Sequence, residues 1–251
     1  VLTGADNDDI HFETVGPAYE GTQVKFADDG ELIYRQPGVF VGYHKDPQKT
    51  DAVLKDGWFH SGDSGFIRED GHIVFVDRIK DLMELSGGHK VAPQFLESRL
   101  RFSPYIKDAW VLAGPEGAYV SAIIIINYDN VSRWAGQKRV AYTSFGELSQ
   151  APEVYELVRQ DIDRVNRTLP PGSQVKKYVN LHKEFDPDEA ELTRTRKLRK
   201  IFLAERYREL TDAVYADKSE VPIEARAGDR DEHTGTINIT IRIESVEGAG
   251  G

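Results

Sequence analysis

The run Gly57-Trp58-Phe59-His60-Ser61-Gly62-Asp63 is followed by Asp77-Arg78-Ile79-Lys80-Asp81 and then by Ser86-Gly87-Gly88-His89. An acidic turn, a basic joint and a glycine loop thus follow one another in close succession. Asp63 stands between Gly62 and Ser64-Gly65. A carboxylate on such a tight turn can accept two hydrogen bonds from vicinal hydroxyls such as those of a ribose, each worth about 1.5–3 kcal/mol. A plain turn-forming aspartate is the competing reading. Arg78 could present its planar fork to ribose or phosphate oxygens, or pair on the surface with Asp77 or Glu84. Lys80 and Asp81 read equally well as solvated loop charges. Gly87 and Gly88 permit positive φ and the close approach of a ligand to the backbone, as does any hairpin turn, and they lack the spacing of a phosphate-binding P-loop. Far downstream, Leu192-Thr193-Arg194-Thr195-Arg196-Lys197 opens a segment with seven basic residues and one acidic residue between Arg194 and Arg208. A lysine on a loop before a helix could neutralise charge developing on a phosphate or carboxylate. A solvated basic helix face is the alternative, with Thr193 or Thr195 as its cap.

The elements that must position these residues change in character along the chain. Up to about residue 76 the pattern predicts strands and turns only: Thr22–Phe26 and Glu31–Tyr34 around the turn Asp28-Asp29-Gly30, and His72–Val76 after Glu69-Asp70-Gly71. From Arg78 onward helices and strands alternate. A helix is expected from Pro93, with Phe95, Leu96 and Leu100 at helical spacing. Strands are expected at Asp108–Leu112, Tyr119–Asn127 and Tyr178–Leu181. One helix is expected between Ser149 and Leu169, stopped by Pro170-Pro171-Gly172, and a last helix starts near Lys197. A further strand is expected at Thr236–Ile241. The fold class is α+β: a small central sheet flanked by helices, preceded by a β-rich segment.

At 251 residues, with 39% hydrophobic and 29% charged residues, the chain has the composition of a globular protein of one large or two modest domains. A net charge of −10 argues against non-specific nucleic-acid binding. With no cysteine there is no disulfide and no thiol nucleophile, so a thioester chemistry would need a thiol carried by a cosubstrate. The histidines show no metal-ligand spacing, and no metal ligand is expected. The longest aliphatic run, Ala122 to Ile126, is too short to span a bilayer. The polar, acidic start and the absence of an initiating methionine lead us to expect an excised part of a longer protein without a signal peptide.

The order and spacing of these motifs together resemble those of the adenylate-forming enzymes, the superfamily of acyl-CoA synthetases and luciferases. Gly30-Glu31-Leu32, Gly42-Tyr43 and Thr50 are similar to one stretch. Gly57 to Asp63 is similar to a second, Asp77 to Gly88 with Pro93 and Glu97 to the hinge motif, and Thr193 to Lys197 to the catalytic-lysine motif. The helical stretch from Tyr142 to Leu169 is most similar to that of long-chain fatty-acid–CoA ligases. Luciferases share lysine at Lys80 but not glutamate at Glu84. The resemblance implies that Asp63 and Arg78 bind the nucleotide, Asp63 through the ribose hydroxyls. It implies that Lys80 is the hinge of a mobile domain, that Gly87 and Gly88 border a CoA channel, and that Lys197 is catalytic. It implies a fatty acid, ATP with Mg2+ and CoA as partners, and a cytoplasmic setting that leaves peripheral membrane association open. Residues 1–76 would end a large N-terminal domain, 77–215 would be the mobile C-terminal domain, and 216–251 a tail with a β-hairpin. The phosphate loop and the motif expected to hold Mg2+ would precede residue 1, so the chain alone is expected to be inactive. Departures are Arg196 where glycine is common and Glu191 where proline is common. Two other functions stay open: an enzyme loading another acid or a carrier protein, and a non-catalytic docking module of the same fold.

Overall fold

The computed structural model describes Thr3, His11 and residues 14–114, 118–216, 218–226 and 236–246. The chain divides into two compact units, Val1–Leu82 and Met83–Gly251.

In the first unit, β1 (Gln23–Phe26) and β2 (Glu31–Arg35) form an antiparallel hairpin. The Gly30 amide donates to Ala27 O at 2.9 Å and the Ala27 amide donates to Glu31 O at 2.9 Å. Gly30 is left-handed (φ 85°), which is why the turn needs glycine there. Asp29 adds its side chain, accepting from the Glu31 amide at 3.0 Å. The expectation that this segment is all β is corrected by α1 (Pro47–Val53). Asp46 caps α1 by accepting from the Lys49 amide at 3.0 Å, and Pro47 sits in the first turn, where its missing N–H costs nothing. The helix buries no residue, so no apolar periodicity announced it. Its Thr50 hydroxyl accepts from the Tyr43 amide at 2.9 Å and donates to Asp46 O at 2.9 Å. A Cβ at Gly42 would crowd Thr50 at 3.0 Å. The Gly42-Tyr43…Thr50 spacing is thus a loop lock.

β3 (Leu54–Lys55), β4 (Trp58–Ile67) and β5 (Ile73–Arg78) complete a five-stranded antiparallel sheet in which β4 pairs with β2, β3 and β5. Leu32, Ile33, Ile73 and Val74 are its buried centre. The turn between β4 and β5 repeats the β1–β2 pattern: Gly71 N–H to Arg68 O and Arg68 N–H to His72 O, both 2.9 Å, with Gly71 at φ 83°. A bulge between Ser64 and Gly65 shifts the β4–β5 register. There a Cβ on Gly65 would lie 2.2 Å from Val74 O.

The second unit opens with β6 (Met83–Glu84) and β7 (Lys90–Val91), then α2 (Pro93–Leu100). β8 (Ile106–Ala113) runs antiparallel to β9 (Val120–Ile126), and β9 runs parallel to β10 (Val175–Asn180). A parallel pair needs a crossover, supplied by α3 (Tyr128–Lys138), α4 (Phe145–Gln150) and α5 (Pro152–Asn166). The single helix expected at 149–169 is therefore two. Pro152 opens a new helix, and extended Ala151 (ψ 132°) breaks the run. All seven β9 residues are buried: Ala122, Ile124 and Ile126 face a core with α5, and Ile123 and Ile125 a second core. Burial on both faces explains the unbroken apolar run.

After β10 come α6 (Lys200–Arg206) and α7 (Arg208–Tyr215). The last helix thus starts at Lys200, not near Lys197, and is interrupted at Tyr207. β11 (Glu220–Arg226) and β12 (Thr236–Arg242) pair antiparallel, and β13 (Glu244–Ser245) joins the edge of β10. Leu203, Leu210, Val214, Val221, Ile241 and Ile243 of these elements fill the second core. The sheet flanked by helices is the α+β arrangement expected. Among the described residues no helix is long and apolar enough to cross a membrane.

Gly65→Ala is expected to destabilise the first unit by about 3 kcal/mol, the upper end of overpacking costs. Gly38→Ala, with nothing within 4 Å of its added Cβ, is expected to change stability by less than about 0.5 kcal/mol. Urea unfolding of both variants measures the contrast.

Candidate functional site

Asp63 and Arg78 are direct register partners across β4 and β5. Arg78 Nε lies 3.0 Å from Asp63 Oδ1, and Arg78 Nη1 donates to Ser61 O at 3.1 Å. Its side-chain partner is thus Asp63, where the sequence suggested Asp77 or Glu84. Gly62 is left-handed (φ 71°), and a Cβ there would come within 3.6 Å of Arg78 Nη1. The turn carrying Asp63 is held from β2. Glu31 accepts from the Gly62 amide through Oε1 and meets His60 Nδ1 through Oε2, both at 2.6 Å. Ser61 Oγ donates to Leu32 O at 2.5 Å and accepts from the Asp63 amide at 3.0 Å. His60 therefore serves the turn. Burial pushes the Asp63 carboxyl up from its ordinary value; Arg78 opposes that shift and Glu31 adds to it. Asp63 Oδ2 has no hydrogen-bond donor among the described residues, so the carboxylate retains lone pairs for a hydroxylated ligand.

Lys80 is exposed in a short 3-10 turn, Ile79–Asp81, two residues before the boundary between the compact units. Gly87 (φ 105°) and Gly88 (φ 79°) form the turn between β6 and β7. The Gly88 amide donates to Leu85 O at 3.0 Å and the Leu85 amide to His89 O at 2.8 Å. The His89 ring lies against Gly172, where a Cβ would be 3.4 Å from it.

Lys197 lies on a turn of the same pattern. The Arg196 amide donates to Thr193 O at 2.8 Å and the Thr193 amide to Lys197 O at 2.8 Å. Arg196 holds the left-handed position (φ 59°) that glycine fills in the other three turns. Thr193 does not cap the helix: its Oγ1 accepts from the Lys197 amide at 3.0 Å and bonds the Thr195 hydroxyl at 3.1 Å. Arg199 occupies the N-cap of α6 without a side-chain cap bond. The Lys197 side chain is exposed, and its ammonium has no ion-pair partner among the described residues.

Sequence reasoning did not find what anchors this turn. Glu191, fully buried, accepts from Tyr207 Oη at 2.6 Å and the Asp186 amide at 2.8 Å, and meets Lys183 Nζ and Arg206 Nε at 3.1 Å. Glu97, on α2, meets Lys200 Nζ at 2.8 Å and accepts from the Val111 amide at 3.0 Å. Burial pushes its carboxyl up, against the pull of Lys200. Glu31 and Glu97 stand inside recognisable motifs, but their partners are 14 or more positions away, beyond any local pattern. Among the described residues no group of three or more His, Asp or Glu could hold a metal ion.

A family model described as the C-terminal domain of AMP-binding enzymes matches residues 80–219. The chain belongs to the adenylate-forming, AMP-binding enzymes. The long-chain-fatty-acid–CoA ligase FadD15 of Mycobacterium tuberculosis is 32% identical over 208 residues, 82% of this chain and 34% of that protein. Long-chain-fatty-acid–CoA ligase 1 of Homo sapiens is 34% identical over 192 residues, 75% of this chain and 27% of that protein. The chain thus spans about a third of the length of the curated relatives it matches. The adenylation domain of a carboxylate reductase from Mycobacterium chelonae has the same fold, with a TM-score of 0.58 at 21% identity over 83% of this chain and 34% of that one.

Burial disfavours the charged form of Asp63, and Arg78 offsets part of that cost. A carboxyl raised in the folded state favours folding below its unfolded pKa and loses that contribution as pH rises through the folded value. Asp63→Asn is therefore expected to stabilise the chain at pH about 7, with the gain shrinking as pH falls toward the ordinary carboxylate range of about 4. Denaturant unfolding across that range measures it.

Proposed function

We propose that this chain supplies part of the nucleotide site and the catalytic lysine of an ATP-dependent ligase joining a long-chain fatty acid to CoA. The observation that carries the reading is a pair of functional groups, one partly buried and one exposed. One is Asp63, ionised against burial beside Arg78 with an oxygen left open. The other is Lys197, fixed by its backbone but without a carboxylate partner. A turn-former gains nothing from the first, and a solvated charge needs no lock like the second. The fatty acid and CoA are suggested by relatives about 30% identical that bear those names. The solved neighbours include enzymes of other acids, such as an anthranilate CoA ligase.

In the proposed first step, a carboxylate oxygen attacks the α-phosphorus of ATP; the bond to pyrophosphate breaks and an acyl-adenylate forms. Asp63 accepts from the ribose hydroxyls and Arg78 lies near ribose and phosphate. The Lys197 ammonium stands where two anions converge and stabilises the charge growing on the phosphoryl oxygens. In the second step the thiol of CoA gives up its proton to solvent and attacks the acyl carbon, and AMP leaves. The Gly87-Gly88 turn borders the thiol's approach. Residues 1–76 then belong to the large domain and 77–215 to the domain that changes face between the steps, with Lys80 as hinge and 216–251 as its tail. ATP reaches such enzymes as its Mg2+ complex; the described residues offer that ion no ligand group, and no step here is assigned to it.

Lys197→Ala, in the chain completed by the upstream portion its relatives carry, is expected to slow acid-dependent pyrophosphate release about a hundredfold or more. Thioester formation from preformed acyl-adenylate should be spared. Equal loss in both half-reactions would remove Lys197 from the adenylation step.

A further inference from the structure

Lys197 stands near the tip of a short β-hairpin whose base is Glu191. The Thr193 amide donates to Lys197 O at 2.8 Å, Leu192 and Leu198 form an antiparallel bridge, and the Arg199 amide donates to Glu191 O at 3.0 Å. Arg199 Nη1 closes the base a second time by donating to Ala190 O at 3.1 Å. Leu192 is buried in the second core and Leu198 packs against it. Apolar burial is non-directional, so these two contacts hold the hairpin down without fixing how it is turned.

Direction comes from the Glu191 side chain. It is fully buried, and both of its oxygens are used. Oε1 accepts from Tyr207 Oη at 2.6 Å and meets Arg206 Nε at 3.1 Å. Oε2 accepts from the Asp186 amide at 2.8 Å and from Lys183 Nζ at 3.1 Å. Glu189 completes the charge balance by pairing with Lys183 Nζ at 2.6 Å and with Arg206, so two carboxylates face two cations. The neighbouring His182 adds no third cation at neutral pH, because burial and Lys183 push it down to about 4. The partners lie on both sides of the hairpin. Lys183 and Asp186 precede it, in the loop after β10, whereas Arg206 and Tyr207 end the helix that follows it. Arg199 is the N-cap of that helix: the Leu203 amide donates to Arg199 O at 3.0 Å and the Tyr207 amide to Leu203 O at 2.9 Å. A path that leaves Glu191 through Arg199 and follows α6 therefore returns to Glu191 at Tyr207. The hairpin cannot tilt on this closed ring without breaking a bond to a buried carboxylate, and such a loss is costly.

We propose that Glu191 is a positioning residue for adenylation: its buried carboxylate closes the ring of hairpin base, α6, Arg206 and Tyr207, and so sets the place of Lys197. This rests on the reading of Lys197 as the adenylation lysine and adds the group that places it. The ring lies wholly within the second unit, so it stays closed in both half-reactions, but only the first uses Lys197. Opening the ring therefore slows adenylation and leaves thioester formation untouched.

The test joins amide exchange in this chain with half-reaction rates in the completed ligase, for Glu191→Gln and Tyr207→Phe. Glutamine keeps the volume but has one acceptor oxygen where glutamate uses two. Tyr207→Phe removes one bond of the ring, leaves every charge in place, and decides the matter if Glu191→Gln does not fold. In both variants, exchange at the Thr193, Lys197 and Arg199 amides is expected to accelerate about tenfold, as for loss of a hydrogen bond to a charged group. Exchange at the Ile123, Ile124 and Ile125 amides of β9 should stay unchanged. The adenylation kcat is expected to fall about tenfold, as for a displaced catalytic group, with KM for ATP nearly constant and thioester formation from preformed adenylate retained. Unchanged exchange at the hairpin overturns the anchor. Equal acceleration in β9, or equal loss in both half-reactions, makes Glu191 a residue of general stability and overturns the positioning role. So does accelerated hairpin exchange with full adenylation, while Lys197→Ala abolishes adenylation. Full adenylation by Lys197→Ala itself overturns the reading of Lys197 and the positioning role with it, and the exchange data still decide whether Glu191 holds the hairpin.

Discussion

A carboxylate withdrawn from water must be met by donors, and that constraint shapes the surroundings of the turns that carry Asp63 and Lys197. Glu31 is 13% exposed and binds the Gly62 amide and His60, setting the turn that ends at Asp63. Glu191, with no exposure, collects Lys183, Arg206, Tyr207 and the Asp186 amide just before the turn of Lys197. Glu97 takes Lys200 just after it. Removing one partner from such a group leaves an uncompensated charge, which costs far more than the contact itself contributes. Lys197 and Arg78 are exposed and Asp63 is partly so, whereas Glu97 and Glu191 are buried and Glu31 nearly so. The division follows from chemistry: a group that must bind an incoming anion or hydroxyl cannot spend all of its bonds within the protein.

One turn geometry recurs four times, closed by the same two backbone bonds at Ala27–Glu31, Arg68–His72, Leu85–His89 and Thr193–Lys197. Three were legible in the sequence because their fourth position is glycine, in Asp28-Asp29-Gly30, Glu69-Asp70-Gly71 and Gly87-Gly88. The fourth was not, because Arg196 occupies that place; the segment read as a helix start and the helix proved to begin at Lys200. Strands with strong alternation or continuous apolar character, β2 and β9 above all, were equally plain. Helix α1 was hidden because it buries nothing, and the break between α4 and α5 because an apolar stripe continues through Pro152.

The candidate site was legible as residue types in order, and not as contacts. Asp63 and Arg78 could be picked out, but their pairing depends on the β4–β5 register and on the close approach at Gly65. Lys197 could be picked out, but nothing local to it names Glu97, the partner of Lys200. Long-range partners of charged residues carry no periodic signal. A motif therefore marks a position long before it explains what holds that position in place.

The most direct measurement is thioester formation from palmitate, Mg-ATP and CoA, made with the chain alone and with the chain completed by the upstream portion found in its relatives. Palmitoyl-CoA is expected only from the completed protein, because Asp63, Arg78 and Lys197 are proposed as some of the groups such a ligase needs and not all of them. Turnover by the chain alone would contradict that placement. Absence of product from the completed protein, with palmitate and CoA both at saturation, would contradict the assignment to fatty-acid–CoA ligation.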